Sequence, residues 1–131
     1  MIHQVCGALI TRENGEILIA KRVENDECGG QWEFPGGKCK KHEALVSCIH
    51  REVFEELGIE IEVKSLFAKT DYTFGKRHNH LNFFWARILA GTPSLHVHSE
   101  ITWTSFDQLY SYDFMPPDQA VLHLLKTFGF G

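Results

Sequence analysis

The chain has 131 residues, of which 44% are hydrophobic and 23% charged, and a formal charge of −4. That length supports one domain with a hydrophobic core. The acidic balance argues against broad attachment to a nucleic-acid polymer, and no apolar run approaches the ~20 residues of a membrane span. The N-terminal "MIHQVCGALITRENGE" has no basic region followed by a long apolar core, so it does not read as a signal peptide. Cys6, Cys28, Cys39 and Cys48 contain no C-x-x-C pair and read as reduced thiols of a cytoplasmic protein.

No repeat or linker divides the sequence, so residues 1–131 are expected to form a single domain. "QVCGALIT" and "EILIAKR" are β-rich runs on either side of the turn-like "RENG", which predicts a hairpin. "VENDECGGQ" reads as a loop, and "WEF" as a short strand ended by Pro35, Gly36 and Gly37. Residues 44–57 carry helical periodicity: Leu45, Ile49, Val53 and Leu57 recur every four residues, and Val46 widens the stripe. Gly58 is the expected stop, while the start lacks a good capping side chain. "IEIEVKSLFAKTDYTF" and "HNHLNFFWARILA" predict a second, longer hairpin turning at "GKR". "EITWTSF" is a further strand, "DQLYSY" a short helical pattern, and "DQAVLHLLKTF" a last helix after Pro116 and Pro117. The fold class is therefore α+β.

The central helix concentrates acid. Glu52, Glu55 and Glu56 fall within about a 100° arc. Taken alone, three glutamates make a solvated face, and Arg51–Glu55 an ordinary i,i+4 pair. Like charges some 4 Å apart nevertheless repel by roughly 4 kcal/mol at an effective dielectric of 20. A divalent cation removes that cost, and oxygen ligands suit Mg2+ or Mn2+ rather than zinc.

The spacing is more specific than the composition. Gly37, Glu43, Arg51, Glu52, Val53, Glu55, Glu56, Gly58 and Ile59 form G-x5-E-x7-R-E-U-x-E-E-x-G-U, with U aliphatic. The stretch resembles the Nudix box of hydrolases that act on nucleoside diphosphates linked to another group. The resemblance implies an α/β/α sandwich around a mixed sheet, with this helix and its preceding loop as the catalytic platform. It implies hydrolysis assisted by Mg2+ or Mn2+, with Glu52, Glu55, Glu56 and the Gly37 carbonyl as ligands. Metal ions neutralise phosphate oxygens and lower the pKa of a bound water. Glu52 is the leading base by the same resemblance, and Glu43 and Arg51 hold the loop to the helix. Gly36 and Gly37 permit tight backbone turning, and Lys38, with Lys40 and Lys41 nearby, offers charge to phosphates.

"LIAKR", "WEFPGGK", "DYTFGKRH" and "DFMPPDQAVLHLLK" resemble the MutT group, which cleaves nucleoside triphosphates to monophosphate and pyrophosphate. That implies substrate contacts from Arg22 and Arg77, and places Glu33 near substrate or metal. Asp118 lies close to where the group has a base-reading asparagine. An ionised aspartate only accepts hydrogen bonds, which suits the cytosine amino group; asparagine also donates, which suits guanine. Asp118 also fits the start of the last helix as a cap. One departure is Val97, where the group often has a glutamate; Glu100 is displaced by three residues and is a further ligand candidate. The H-x-H pairs His78/His80 and His96/His98 could meet at a transition metal if their strands paired. Phe34 and Phe74 are aromatic candidates for stacking on a base, although each reads better as core. The expected activity is hydrolysis of oxidised dGTP, with cytidine triphosphates as the alternative substrate. A binding-only nucleotide sensor, monomeric or dimeric like the enzyme, is the alternative class.

Overall fold

The first strand, β1 (Ile2–Ile10), is buried from Cys6 onward, and both of its edges are paired. On one side it meets β4 (Gly36–Lys38) antiparallel, and on the other β6 (Arg77–Ala90) in parallel. With β5 (Glu60–Phe74) beyond β6, this makes a mixed four-stranded sheet in the order β4-β1-β6-β5. A second, antiparallel sheet has the order β3-β2-β7, from Trp32–Glu33, Ile17–Arg22 and His98–Thr104. The computed structural model describes residues 2–128, apart from the side chain of Phe74.

The first expected hairpin does not form a ladder. Arg12–Glu16 make the anticipated turn and Thr11 bridges Ile17, but β1 and β2 then enter different sheets. A strand has two hydrogen-bonding edges; β6 takes one edge of β1 along Ile2–Ile10, and on the other β4 takes Val5–Gly7 while Ala8 N–H donates to Pro35 O, as β2 pairs instead with β3 and β7. The second hairpin is as read: β5 and β6 pair antiparallel to the turn before Arg77. "GGK", read as the end of a strand, is itself the edge strand β4.

Side-chain alternation along β1 divides the core in two. Ala8 and Ile10 face α1 (Leu45–Leu57), with Leu18 and Phe84. Leu9 faces α2 (Pro116–Phe128), with Ile17, Ile19, Phe83 and Val121. The helices thus cover opposite faces, giving the layered α+β arrangement. Helix α1 starts at Ala44 without a side-chain cap and closes at Gly58 in the left-handed region, φ 70°. Its buried stripe is Cys48, Ile49, Val53 and Leu57; Val46, expected to widen it, is exposed, and Cys48 takes that place. The "DQLYSY" pattern yields a single 3-10 turn, Leu109–Ser111. Helix α2 begins at Pro116 itself, so Asp118 lies inside the first turn instead of capping it. No helix among the described residues is long and apolar enough to cross a membrane.

Leu9 is fully buried against the α2 face. Truncation by Leu9→Ala leaves a cavity there, and urea denaturation is expected to show a loss of about 2–5 kcal/mol.

Candidate active site

Each sheet ends in a short edge strand, β3 or β4, and Phe34–Pro35 link the two. The seam between the sheets is therefore lined by both. Phe34 is buried against Phe83 and Phe114, so it packs the core and does not serve as an open stacking platform. Beside it, Trp32 accepts from Met115 N–H and donates to Asp113 O, which docks the chain entering α2 against β3. That docking brings Asp118 under Phe34, whose backbone N–H donates to Asp118 Oδ2 at 2.8 Å.

Helix α1 lies against the other edge of the seam. Glu52 and Glu56, four residues apart, face β4. Glu56 Oε1 accepts from Gly36 N–H at 3.2 Å. A side chain at Gly37 would overlap the Glu52 carboxylate, so glycine is what allows the acidic edge to sit directly on the backbone. Arg51 organises the remaining acids. It holds Glu43 with two hydrogen bonds of 2.8 and 2.9 Å, and also reaches Glu52 at 2.9 Å, Glu55 at 3.1 Å and Lys38 O at 3.2 Å. Hydrogen bonds from Arg51 and from Lys40 N–H hold the Glu43 carboxyl down at about 2. The Glu55 side chain is 55% exposed and Glu52 16%, so Glu55 occupies the solvent side of the cluster.

Glu56 has no arginine of its own. Burial, then the charge of Glu33, push its pKa up to about 9. Glu33 in turn contacts Arg22 at 2.9 Å and His98 Nε2 at 2.7 Å. Glu33, Glu56 and His98 bring ligand atoms within 4.8 Å of one another, and the Nδ1 of His98 is buried without a hydrogen-bond partner. This carboxylate-rich group, with excess negative charge and a buried imidazole, has the donor chemistry of a divalent-cation site.

His98 was not singled out for this place by the sequence. The signal was its strand register: it pairs opposite Arg22 in β7, next to a bulge between Lys21 and Arg22. Glu100, the expected late ligand, is exposed opposite Lys21 and lies outside this group. The histidine pairs do not converge, because β7 pairs with β2 and not with β6. His78 contacts Thr73, His80 contacts Gln4, and His96 contacts the Glu55 carbonyl.

Two adjoining cavities open from the seam. One, of about 200 Å³, is lined by Glu33, Phe34, Gly36, Gly37, Phe83 and Asp118, among others. The other, of about 180 Å³, is lined by Lys38, Tyr72, Arg77 and Pro116, among others. Arg22, Asn79 and Met115 line both, and the last two are positions that sequence reasoning missed. Asp118 is buried in the first, and burial, with the charge of Glu33, pushes its pKa up to about 8.

Carboxyls with raised pKa bind protons more tightly when folded. Their contribution is therefore complete below the unfolded value, near 4, and is lost as pH rises toward 8 or 9. In EDTA, the melting temperature is expected to fall as pH is raised from 5 to 9. Glu56→Gln and Asp118→Asn should each flatten that profile; a profile as steep as wild type in both would contradict the assignment.

Comparison with known proteins places these features in context. The NUDIX domain family model matches residues 1–126. The chain is 34% identical over 123 residues to an 8-oxo-dGTP diphosphatase of Escherichia coli K12, covering 94% of this chain and 95% of that protein. It is also 34% identical over 119 residues to a CTP pyrophosphohydrolase of the same organism, covering 91% and 87%. A MutT NUDIX hydrolase from Burkholderia pseudomallei superposes with a TM-score of 0.84 at 28% identity, covering 95% of this chain and 98% of that one.

Proposed function

The chain belongs to the NUDIX family of hydrolases acting on acid anhydrides, and from that premise we propose a nucleoside triphosphate pyrophosphohydrolase preferring oxidised dGTP. The reading extends to residues 1–131 as one catalytic domain, Mg2+ or Mn2+ as the cofactor, a monomer or homodimer, and a cytoplasmic setting. The observation that carries it is the seam itself. Acidic Glu52 and Glu56 press on Gly36–Gly37, which with Arg22 and Asp118 line one cavity, and Arg22 also lines the adjoining cavity with Lys38 and Arg77.

In this reading Glu52, Glu55, Glu56 and the Gly37 carbonyl would hold a cation, with Glu33 and His98 as further candidate donors beside Glu56. The cation supplies charge neutralisation and a more acidic water. Arg22, Lys38 and Arg77 attract and orient the phosphate chain. Glu52 takes the proton of the attacking water on a carboxylate oxygen, and Arg51, bound to its Oε1, fixes the orientation of that carboxylate. Attack at an inner phosphorus yields a nucleoside monophosphate and pyrophosphate. Glu52→Gln is expected to lower kcat by about 10²–10⁴-fold with an unchanged circular-dichroism spectrum. A near-normal rate would remove Glu52 as the base, and nucleotide binding without turnover in the wild type would favour the sensor.

Asp118 bears on the choice of base. An ionised aspartate would favour the cytosine amino group. Here the pKa near 8 keeps the group protonated at neutral pH, and because Oδ2 accepts from Phe34, the other oxygen carries the proton. A donor suits a carbonyl such as guanine O6 and opposes an amino group. The similarity to a CTP pyrophosphohydrolase keeps CTP as the second reading. Pyrophosphate release with Mg2+ should give a higher kcat/KM for 8-oxo-dGTP than for CTP. Asp118→Ala should cut the former by about 10- to 100-fold, with Asp118→Asn losing much less. Preference for CTP would reverse the assignment.

A further inference from the structure

The reduced-thiol expectation fails at Cys39 and Cys48, which are bridged as a disulfide with Cα atoms 5.2 Å apart. Cys39 directly follows β4, and Cys48 sits one helical turn before Glu52. The bridge therefore ties the strand carrying Gly36 and Gly37 to the helix carrying the acids. It also touches the site, because Cys48 Sγ lies 3.8 Å from the Gly37 carbonyl oxygen. A third thiol is in reach: Cys6 Sγ, on β1, is 3.5 Å from Cys39 Sγ and 3.4 Å from the Leu45 carbonyl oxygen. All three sulfurs lie within 4.8 Å of one another. Cys6 and Cys48 are buried while Cys39 is partly exposed, so a small reagent meets Cys39 first.

We propose that Cys39 and Cys48 form a reversible clasp, closed by oxidants of the small-molecule disulfide class, that fixes β4 on α1 and tightens divalent-cation binding there. The inference rests on reading the Glu52–Glu56 edge as the cation site. In closing, Cys39 sulfur attacks the reagent disulfide and displaces one small thiol. Cys48 sulfur then attacks the mixed disulfide at Cys39 and displaces the second. Two electrons pass from the protein thiols to the reagent, and the two protons leave on the two released thiols. The closed bridge spans a separation of nine residues and restrains the segment between β4 and α1, so less freedom is lost when a cation docks. Bridges formed in a reducing compartment are transient and serve sensing.

The test equilibrates the full chain in oxidised or reduced glutathione, maps disulfides by mass spectrometry after alkylation, and measures Mn2+ affinity by electron paramagnetic resonance. Expected are a Cys39–Cys48 linked peptide, alkylated Cys6 and Cys28, and Mn2+ bound about fivefold or more tightly in the oxidised form. Cys39→Ser should abolish both the link and the affinity difference; Cys28→Ser should leave the link intact. A Cys6–Cys39 link, no link, or equal Mn2+ affinity in the two states would overturn the proposal. Mn2+ binding in neither state would overturn the cation-site reading and the coupling with it. A Cys39–Cys48 link whose formation raises the melting temperature in wild type but not in Cys39→Ser would then uphold the clasp alone.

Discussion

Everything at the site depends on an acidic helix edge lying directly on the two glycines that open β4. Gly36 and Gly37 carry no side chains there, and any Cβ at Gly37 would occupy the space of the Glu52 carboxylate. Backbone polar groups and carboxylates thereby share one small volume. Arg51 neutralises one flank by gathering Glu43, Glu52 and Glu55, but it does not reach Glu56. The resulting imbalance is local: Glu56 is buried and faces the charge of Glu33. A low-dielectric site with surplus negative charge favours either protons or a cation, and a divalent ion answers the demand at neutral pH.

The second consequence concerns where the two ends of a substrate go. Because alternate residues of β1 face different helices, α1 and α2 stand on opposite faces, and each sends a carboxyl toward the seam between the sheets. One helix brings acid to that seam. The other brings a single buried carboxyl, fixed by the Phe34 N–H and with its pKa pushed up by the same burial that raises Glu56. The acidic edge and the buried carboxyl are thus separated in space while drawing on strands joined by only Phe34–Pro35. Arg22 lines both cavities, and Lys38 and Arg77 line the second.

Local signals read well where the physics is local. The every-fourth-residue stripe located α1, Gly58 marked its end, and the absence of a cap at Ala44 agrees with the lack of a capping side chain. The long β5–β6 hairpin followed from two β-rich runs and a short turn. The first hairpin was misread because the same pattern does not say which edge a strand uses. Val46 and Cys48 changed places in the stripe because burial depends on what packs opposite, here the sulfurs of Cys6 and Cys39. His98 was inconspicuous because its partners, Glu33 and Glu56, are 65 and 42 positions away in number, one on the far side of β2 in the same sheet and the other on α1.

By itself the sequence determined the acidic helix, the glycines before it, the family they belong to and the class of reaction, because those depend on residue types at fixed short offsets. The tertiary structure alone decided that Glu56, Glu33 and His98 bring their ligand atoms together and that Cys39 meets Cys48. It also decided that Asp118 is buried and accepts from the Phe34 backbone N–H. These contacts rest on burial and on how helices and strand edges pack together, and neither the dielectric around a side chain nor the partner of a strand edge is written in nearest neighbours.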